Sequence, residues 1–269
     1  MNYQDMFQRN IGLFTQTEQD RLQKSKVAIA GVGGVGSYQA VALARFGVGE
    51  LSIMDPGIFD PPDMNRQYGA MSSTMDQNKA KATAKLLKDI NPLLKINVFT
   101  ESAYSESDVD TFIEGADLVI DAIDYAGFYY KYLLHKQARQ AGKYILSGPI
   151  PGFGATLQIF SPTGMTIETF YMAPEDKTQW DQFKLPLSVT APQEAIPEAL
   201  HQFVSGEIPY LSTNAASAQL AGALLGMEAA LMISGKRLAS ELIIVPDIVY
   251  LDLFTREYRV FNPYPAMGK

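Results

Sequence analysis

Cysteine is absent from this 269-residue chain, and histidine occurs only twice, as His135 and His201. The lack of cysteine excludes a disulfide framework, a cysteine zinc clamp, an enzyme persulfide and a thioester nucleophile. Two isolated histidines also argue against a structural zinc site or a histidine-centred triad. We therefore expect no zinc, and any metal should be a hard ion such as Mg²⁺ with oxygen ligands.

Positive charge is scarce as well, since 22 Lys and Arg face 29 Asp and Glu, a net charge of −7. This balance gives no general attraction to nucleic acid or anionic membranes, although a local basic patch stays open. We find no apolar run of membrane-spanning length, and the polar first residues do not resemble a secretory signal. We expect a cytoplasmic protein without membrane contact, and nucleic acid is disfavoured as a partner.

Strand and helix patterns alternate through the first 150 residues. Short apolar runs predict strands at 27–30, 51–54, 96–99, 118–123 and 144–147. Helical patterns predict helices over 35–46, from a capping box at 74–77 to about residue 90, and over about 127–140. This alternation predicts an α/β fold of the Rossmann-like, doubly wound type with a mainly parallel sheet.

The pattern changes after Pro149. Further strands are predicted at 155–160, 165–170, 243–245, 249–253 and 257–261, and we expect antiparallel strands to continue the sheet in the C-terminal half. The five prolines within 171–210 predict a long crossing loop with one short helix near 193–203, ahead of a buried apolar helix at 211–234. Residues 1–25 predict a short helical extension. We see no interdomain linker and expect one domain, 1–269.

A glycine-rich turn follows the first predicted strand, with Gly31, Gly33, Gly34 and Gly36 in six positions. Such glycines let the backbone turn tightly and approach an anion, and the helix that follows presents free N–H groups. A tight turn without a ligand shows the same pattern, so the motif alone is weak. Asp55 ends the second strand, nineteen residues after Gly36, at the spacing of a carboxylate that binds ribose hydroxyls of NAD or ATP.

Two cations favour ATP over a dinucleotide. Lys79 lies at the N-terminal end of a predicted buried helix stripe, opposite a face that carries the other lysines of that helix. A lone charge there either extends to solvent or meets an anion, and we favour the anion. Arg66 follows a proline-stiffened loop, and its guanidinium matches phosphate oxygens.

Two aspartates, Asp121 and Asp124, flank the end of the predicted strand at 118–123. In a doubly wound sheet this strand neighbours the first one, beside the crevice where ligands bind. A carboxylate there is well placed to hold Mg²⁺ near a triphosphate. We choose Asp124 as the metal ligand because it is nearer the crevice. Asp121 would instead fix a loop by accepting backbone N–H groups.

Together these residues resemble the ThiF/MoeB/ubiquitin-activating family of ATP-dependent adenylating enzymes. The resemblance covers most of the chain, from Arg9-Asn10-Ile11-Gly12-Leu13 to the late helix that ends at Gly235, and includes Asn65-Arg66-Gln67. The combination is far more specific than any single motif.

The resemblance implies a role for each matching position. The phosphates would lie over Gly33 and Gly34, and Asp55 would hold the ribose. Arg66 and Lys79 would bind the triphosphate and its leaving pyrophosphate, and Asp124 would hold Mg²⁺. The rest of the implied nucleotide site is Gly31, Gly36, Asn65 and Gln67. Arg9 would reach into a partner subunit's site, which implies a homodimer with shared sites.

Several departures from the family pattern affect the chemistry. Asp63 places an extra carboxylate near the nucleotide where the family often has Asn, Tyr125 replaces the usual Asn after Asp124, and Lys131 stands where Arg is common. The zinc cysteines and the acceptor cysteine of the crossing loop have no counterpart. Any chemistry must stop at the adenylate or pass it to an acceptor without enzyme-bound sulfur.

We therefore expect ATP-dependent adenylation of a carboxylate, giving an acyl-adenylate and pyrophosphate, with a small molecule or peptide of a biosynthetic pathway as substrate. Activation of a ubiquitin-like carrier C-terminus, as by MoeB, and a tRNA-modifying dehydration stay open. An NAD- or FAD-dependent oxidoreductase would explain the glycines and Asp55 but not Lys79, Arg66 or Arg9. A degenerate half of a heterodimer is the non-enzyme alternative. The crossing loop, with Trp180, Phe183 and Glu194, is either a substrate lid or an ordered structural loop.

Overall fold

The computed structural model describes residues 2–264. The helices are α1 (Tyr3–Phe7), α2 (Gln16–Lys24), α3 (Gly34–Phe46), α4 (Lys79–Ile90), α5 (Glu106–Ile113), α6 (Phe128–Gln140), α7 (Ile167–Phe170), α8 (Glu198–Ser205) and α9 (Ala215–Ser234). The strands are β1 (Lys26–Ala30), β2 (Glu50–Met54), β3 (Lys95–Phe99), β4 (Leu118–Asp121), β5 (Ile145–Ser147), β6 (Gly154–Phe160), β7 (Ile248–Asp252) and β8 (Glu257–Phe261). Short 3-10 helices occur in the connections, among them Pro61–Asn65.

The strands form an eight-stranded sheet in the order β3-β2-β1-β4-β5-β6-β7-β8. The first five strands along the chain pair in parallel, and β6, β7 and β8 continue the sheet in antiparallel. The chain order reverses between β1 and β4, where Ala30 is in register with Asp121. Ligands of doubly wound sheets bind in the crevice beyond such a reversal. The predicted fold class is confirmed.

Each face of the sheet has its own hydrophobic cluster, because successive side chains of a strand point to opposite faces. Val27 and Ile29 of β1 pack into the cluster that contains residues of α3 and α9. Ala28 and Ala30 pack into the cluster that contains residues of α5, α6 and α7. This second cluster includes Trp180 from the segment between α7 and α8. The crossing segment is therefore packed into the core at several points.

The turn between β1 and α3 is closed by backbone contacts that only glycine allows. Gly31 has a φ of +91°, and a Cβ placed on it would lie 2.3 Å from the carbonyl oxygen of Ala122. A Cβ on Gly36 would lie 1.9 Å from the carbonyl oxygen of Gly31. These contacts hold the first turn of α3 against the chain leaving β4. The N-terminus of α3 thus faces the crevice.

By length and composition alone, α9 could cross a membrane, which differs from our expectation that no such segment exists. This is weak evidence, because the core helix of a globular protein passes the same test. In this fold α9 packs against α3 and the sheet. Its buried residues are Ser217, Ala218, Ala221, Gly222, Leu225, Gly226, Ala229, Ala230 and Ser234.

Most predicted elements of the parallel half are confirmed within a few residues, but the start of one helix differs and one helix was not predicted. The predicted capping box at 74–77 is wrong: α4 begins at Lys79, and the side chain of Asn78 accepts the N–H of Lys81 at 3.0 Å. The Thr74 hydroxyl donates instead to the carbonyl of Gly69 at 2.6 Å. Helix α5 was not predicted, although Ser105 and Asp108 form a capping box at its start.

The predicted C-terminal half needs more correction. The predicted strand at 165–170 is wrong, because this segment contains helix α7, Ile167–Phe170. Thr166 caps the helix, and Ile167 and Phe170 are both buried at i and i+3. Residues 243–245 form no strand, since the chain turns at Pro246, which lacks an N–H for a ladder, and β7 begins at Ile248. Helix α9 starts at Ala215, where Asn214 is the N-cap, rather than at residue 211.

The glycine turn gives a stability prediction. Gly36→Ala should lower the free energy of unfolding by about 3 kcal/mol or more, because its new methyl group overlaps the backbone of Gly31. Gly34→Ala is the matched control, since its methyl group would meet Arg66 Cγ at 3.5 Å, an ordinary contact. Urea denaturation of both variants measures the difference. Equal midpoints would contradict the close packing of this turn.

Candidate nucleotide site

The glycine turn presents free backbone donors at the carboxyl edge of the sheet. Gly33 is the N-cap of α3 and supplies no side-chain oxygen, so the first N–H groups of the helix receive no side-chain cap. Such N–H groups and the helix dipole favour an anion. The binding of phosphates at this turn stays a prediction.

Asp55 connects the glycine turn to the loop after β2. One carboxylate oxygen accepts the N–H of Val32 at 2.9 Å, and the other accepts the N–H of Gly57 at 2.9 Å. A carboxylate has about four lone-pair positions, so acceptor capacity remains for ribose hydroxyls. Asp55 is buried, and these bonds fix its orientation at the end of β2.

Asp63 brings together the charged residues that the sequence predicted separately. Its carboxylate accepts a hydrogen bond from Lys79 Nζ at 3.0 Å, lies 3.6 Å from Arg66 Nη2 and accepts another hydrogen bond from Gln67 Nε2. The backbone N–H of Asp60 donates to it at 3.3 Å. Asp63 is 5% exposed, so the anion that Lys79 meets in this structure is internal. The sequence placed Asp63 near the nucleotide but gave it no role.

The cations of this cluster decide the state of the carboxyl group. Burial alone would raise the pKa of Asp63, but the hydrogen bonds from Lys79 and Asp60 outweigh it and hold the pKa below its usual range. Asp63 is therefore ionised at neutral pH. Asp63 pairs with both cations, Lys79 and Arg66, and Asp55 adds a second carboxylate near the same loop, at Gly57.

Two side chains of the cluster lie directly against the glycine turn. A Cβ on Gly33 would lie 3.5 Å from Gln67 Oε1, and a Cβ on Gly34 would lie 3.5 Å from Arg66 Cγ. Gln67 Oε1 is buried and has no hydrogen-bond partner among residues 2–264. An unpaired buried acceptor is costly and calls for an explanation, and a bound polar ligand at the turn supplies one. The residues present therefore fit a nucleotide.

Asn65 holds Arg66 rather than facing the turn. Its Oδ1 accepts a hydrogen bond from Arg66 Nη1 at 3.0 Å, and its Nδ2 donates to the carbonyl of Thr213 at 3.1 Å. Thr213 immediately precedes the N-cap of α9. The structure thus connects the arginine to the last long helix.

Asp124 is exposed on the loop after β4, and Asp121 is buried behind it. The carboxylate of Asp124 accepts the N–H of Tyr125 at 2.6 Å. Residues 2–264 contain no group of three or more acidic or histidine side chains arranged to hold a metal ion. Asp124 as a Mg²⁺ ligand therefore stays a prediction, and the remaining ligands would have to come from phosphates and water.

Asp121 forms a buried charged triad with two residues of α6. Its carboxylate accepts hydrogen bonds from Lys131 Nζ at 3.0 Å and from the backbone N–H of Ile123 at 3.1 Å, and it lies 3.1 Å from His135 Nε2. Burial would raise the pKa of Asp121, but the charge of Lys131 and the bond with His135 hold it at about 2. The loop-fixing role left open for Asp121 matches these contacts.

His135 was not a predicted site residue, although its i+4 spacing from Lys131 places both on one face of α6. Burial lowers the pKa of His135, and its contact with Asp121 opposes this only in part. A neutral His135 therefore donates its Nε2–H to the ionised Asp121.

Arg9 lies far from the glycine turn of its own chain. It is exposed in the 3-10 helix Gln8–Asn10, and Asn10 donates to the carbonyl of Phe46, the last residue of α3. Helix α3 begins at the turn and spans about 20 Å, so Arg9 is at its opposite end. Any role of Arg9 at a nucleotide site would be in another subunit.

The crossing segment is held against the loop that carries Asp124. Trp180 is 3% exposed and packs edge-on against Phe128, with ring centroids 5.1 Å apart. The Tyr125 hydroxyl donates to the carbonyl of Leu185 at 2.5 Å. These contacts favour the prediction that the crossing segment is an ordered structural loop over the prediction that it is a substrate lid. Glu194 is exposed and pairs with Arg259 at 2.6 Å.

A doubly wound sheet with paired cations on a glycine turn at its carboxyl edge defines a nucleotide-binding α/β protein. The model of the ThiF family matches residues 7–265, and the chain belongs to this family. The predicted resemblance is therefore confirmed.

The chain spans about half the length of the curated relatives it matches. It is 37% identical over 123 residues to the tRNA threonylcarbamoyladenosine dehydratase of Haemophilus influenzae, covering 46% of this chain and 47% of that protein. It is 30% identical over 161 residues to the SAMP-activating enzyme E1 of Haloferax volcanii, covering 60% and 58% respectively.

Solved structures show the same fold at low sequence identity. The structure of PaaA aligns with a TM-score of 0.72 at 18% identity, covering 96% of this chain and 73% of PaaA. The structure of E. coli MccB with ATP aligns with a TM-score of 0.69 at 18% identity, covering 91% and 66%.

The buried triad gives a pH prediction. In the unfolded chain His135 takes up a proton near pH 6.5, whereas the folded chain resists it, so the free energy of unfolding should fall as the pH drops below 6.5. His135→Gln keeps a donor for Asp121 but does not titrate. Between pH 6.5 and 5 the unfolding free energy of His135→Gln should fall less steeply than that of the wild type. The two slopes should differ by about 1 kcal/mol per pH unit.

Urea denaturation at several pH values measures these slopes. His201→Gln is the matched control, because His201 is exposed and its replacement should leave the wild-type slope unchanged. Parallel slopes for the wild type and His135→Gln would show that His135 is not held neutral in the fold.

Proposed function

We propose that this chain uses ATP to adenylate a carboxylate, with release of pyrophosphate. The observation that carries the proposal is the Asp63 cluster, in which Lys79, Arg66 and Gln67 meet beside the glycine turn. A turn alone would serve a dinucleotide equally well, but the pair of cations near it, Lys79 and Arg66, suits a triphosphate. Family membership and the likeness to MccB, which was crystallised with ATP, support the same nucleotide.

Each predicted site residue has a proposed role. The backbone of Gly31, Gly33, Gly34 and Gly36 would approach the phosphates, and Asp55 would bind the ribose. Lys79 and Arg66 would stabilise the triphosphate and the leaving pyrophosphate, with Gln67 and Asn65 orienting them. Asp124 would hold Mg²⁺, which when bound supplies positive charge in addition to that of Lys79 and Arg66, whose charge Asp63 partly neutralises.

Adenylation of a carboxylate requires little proton transfer by the protein. The substrate carboxylate is itself the nucleophile, so it attacks the α-phosphorus as pyrophosphate leaves. Catalysis is then positioning and charge stabilisation. Because the chain has no cysteine, the activated carboxyl cannot pass to a thiol of these 269 residues. An external acceptor would complete an amide, ester, thioacid or dehydrated ring.

The substrate that we propose is a small carboxylic acid or a peptide in a biosynthetic pathway. MccB, a microcin C7 biosynthetic enzyme, was crystallised with N-formylated MccA. Activation of a ubiquitin-like carrier stays an alternative, since relatives include a SAMP-activating enzyme E1 and an adenylyltransferase/sulfurtransferase named MoeZ. We further propose that residues 1–269 act as a single adenylation domain in a homodimer. Cytoplasmic location stays a prediction.

A tRNA-modifying dehydration is the second candidate. Relatives from Haemophilus influenzae and Bacillus subtilis named tRNA threonylcarbamoyladenosine dehydratase are 37% and 39% identical to this chain, more than the carrier-activating relative quoted above. The net charge of −7 disfavours a nucleic-acid substrate. Assaying a tRNA fraction beside the small acids and carriers separates the two candidates.

The oxidoreductase and the inactive half-dimer are disfavoured. A nicotinamide or flavin nucleotide would use the glycine turn and Asp55 but would not require the cations Lys79 and Arg66. An inactive subunit would have no reason to retain the whole cluster. ATP–pyrophosphate exchange against a panel of carboxylic acids, peptides and carrier proteins tests the proposal, with mass spectrometry for the mixed anhydride.

Lys79→Ala should lower ATP–pyrophosphate exchange at least about a hundredfold, because the cation that faces the phosphates is lost. Lys85→Ala is the matched control: Lys85 is exposed on the same helix, and its replacement should leave exchange within about twofold of the wild type. Circular dichroism confirms that both variants are folded. Near-wild-type exchange by folded Lys79→Ala would remove Lys79 from the mechanism.

Arg9 gives a test of shared sites. Arg9→Ala and Lys79→Ala should each be nearly inactive alone, whereas a mixture allowed to exchange subunits should recover up to about a quarter of the wild-type exchange activity. The recovery arises because half of the dimers are mixed and each holds one intact site. No recovery after proven subunit exchange would place Arg9 outside the partner's site.

A further inference from the structure

The Asp63 carboxylate pairs with Lys79 and Arg66, the two cations that a bound nucleotide would need. Lys79 Nζ and Arg66 Nη2 lie 3.0 Å and 3.6 Å from opposite oxygens of the Asp63 carboxylate. Both side chains retain access to solvent, at 16% and 27% exposure, whereas the Asp63 side chain is 7% exposed. The cations therefore reach the crevice while their counter-ion lies behind them.

The carboxylate is fixed in this position. Asp63 lies in the 3-10 helix Pro61–Asn65, whose start is stiffened by Pro61 and Pro62. It also accepts hydrogen bonds from Gln67 Nε2 and from the backbone of Asp60. These bonds do not depend on Lys79 or Arg66. A polyphosphate in the crevice would thus share the two cations with a carboxylate that stays in place.

A fixed negative charge beside a polyphosphate weakens its binding, and burial reduces the screening of that charge. Asp63 neutralises part of the positive charge of Lys79 and Arg66. Asp55 adds a second carboxylate near the same loop, bonded to the N–H of Gly57, so the site has little surplus positive charge for metal-free ATP. A divalent cation brought with the nucleotide restores the balance. An uncharged residue at position 63 would leave both cations available to the phosphates.

We propose that Asp63 is a specificity-determining residue that weakens binding of metal-free polyphosphate and makes nucleotide binding depend on a divalent cation. This inference rests on the proposed function, since it takes the crevice as a triphosphate site. The inference differs from a purely structural role for Asp63. If Asp63 only positioned Lys79 and Arg66, its replacement would weaken nucleotide binding, whereas the inference predicts tighter binding of the metal-free nucleotide.

The test compares the wild type with Asp63→Asn, which keeps an acceptor for Gln67. Calorimetry measures the Kd of α,β-methylene ATP in EDTA and in excess Mg²⁺. Asp63→Asn should lower the Kd in EDTA about tenfold or more and the Kd in Mg²⁺ by much less, so that the two values converge. Asp89→Asn, which removes an exposed charge from the other end of α4, should leave both values unchanged.

A second pair of variants, both carrying Lys79→Gln, tests the inference if Asp63→Asn fails to fold. Lys79→Gln and the double variant Asp63→Asn/Lys79→Gln differ only at Asp63, and the double variant leaves no unpaired lysine. The double variant should bind the metal-free analogue about tenfold more tightly than Lys79→Gln. Equal or weaker binding would overturn the inference.

The outcomes separate this inference from the proposed function. If the wild type binds the analogue in Mg²⁺ but Asp63→Asn gains nothing in EDTA, only the role of Asp63 is wrong. If the wild type binds the analogue under neither condition, the triphosphate site and the role of Asp63 both fail.

Discussion

The close backbone packing of Gly31, Gly36 and Ala122 is the constraint on which the site depends. It brings the end of β1, the start of α3 and the exit of β4 to one point, with no room for a side chain between them. Asp55 then bonds to Val32 within the turn. The shape of the crevice is therefore set by backbone packing, and the charged side chains lie around it.

The charged residues form a continuous set of contacts around this turn. Asp55 holds the turn to Gly57, the Lys79 side chain lies about 3.4 Å from where a Cβ of Gly57 would be, and Lys79 bonds to Asp63. The Nε2 of Gln67 donates to Asp63, and the Oε1 of the same side chain lies against Gly33 of the turn. Because each buried charge has an internal partner, the site does not need a ligand to remain folded.

The sequence predicted the elements that carry strong local patterns and missed those set by tertiary contacts. Apolar runs located β1, β2, β4 and β5 because both faces of these strands are buried. Residues 165–170 alternate like a strand, yet the helix cap at Thr166 and packing of Phe170 override the pattern. Asp63 and His135 show the same limit at the site: their roles follow from partners 16 and 14 residues away, Lys79 and Asp121.

Two buried carboxylates support the crevice from opposite sides. Asp63 pairs with Arg66 of the loop before α4 and with Lys79 at the start of α4. Asp121 holds the loop after β4 through Ile123 and the first part of α6 through Lys131. Both are ionised, and each is fixed by backbone N–H groups as well as by cations. The exposed Asp124 lies on the loop held by Asp121, with Tyr125 tied to the crossing segment. Among residues 2–264, Asp124 accepts the N–H of Tyr125 and has no side-chain partner, so its carboxylate is free to change orientation, as the proposed role in holding Mg²⁺ would require.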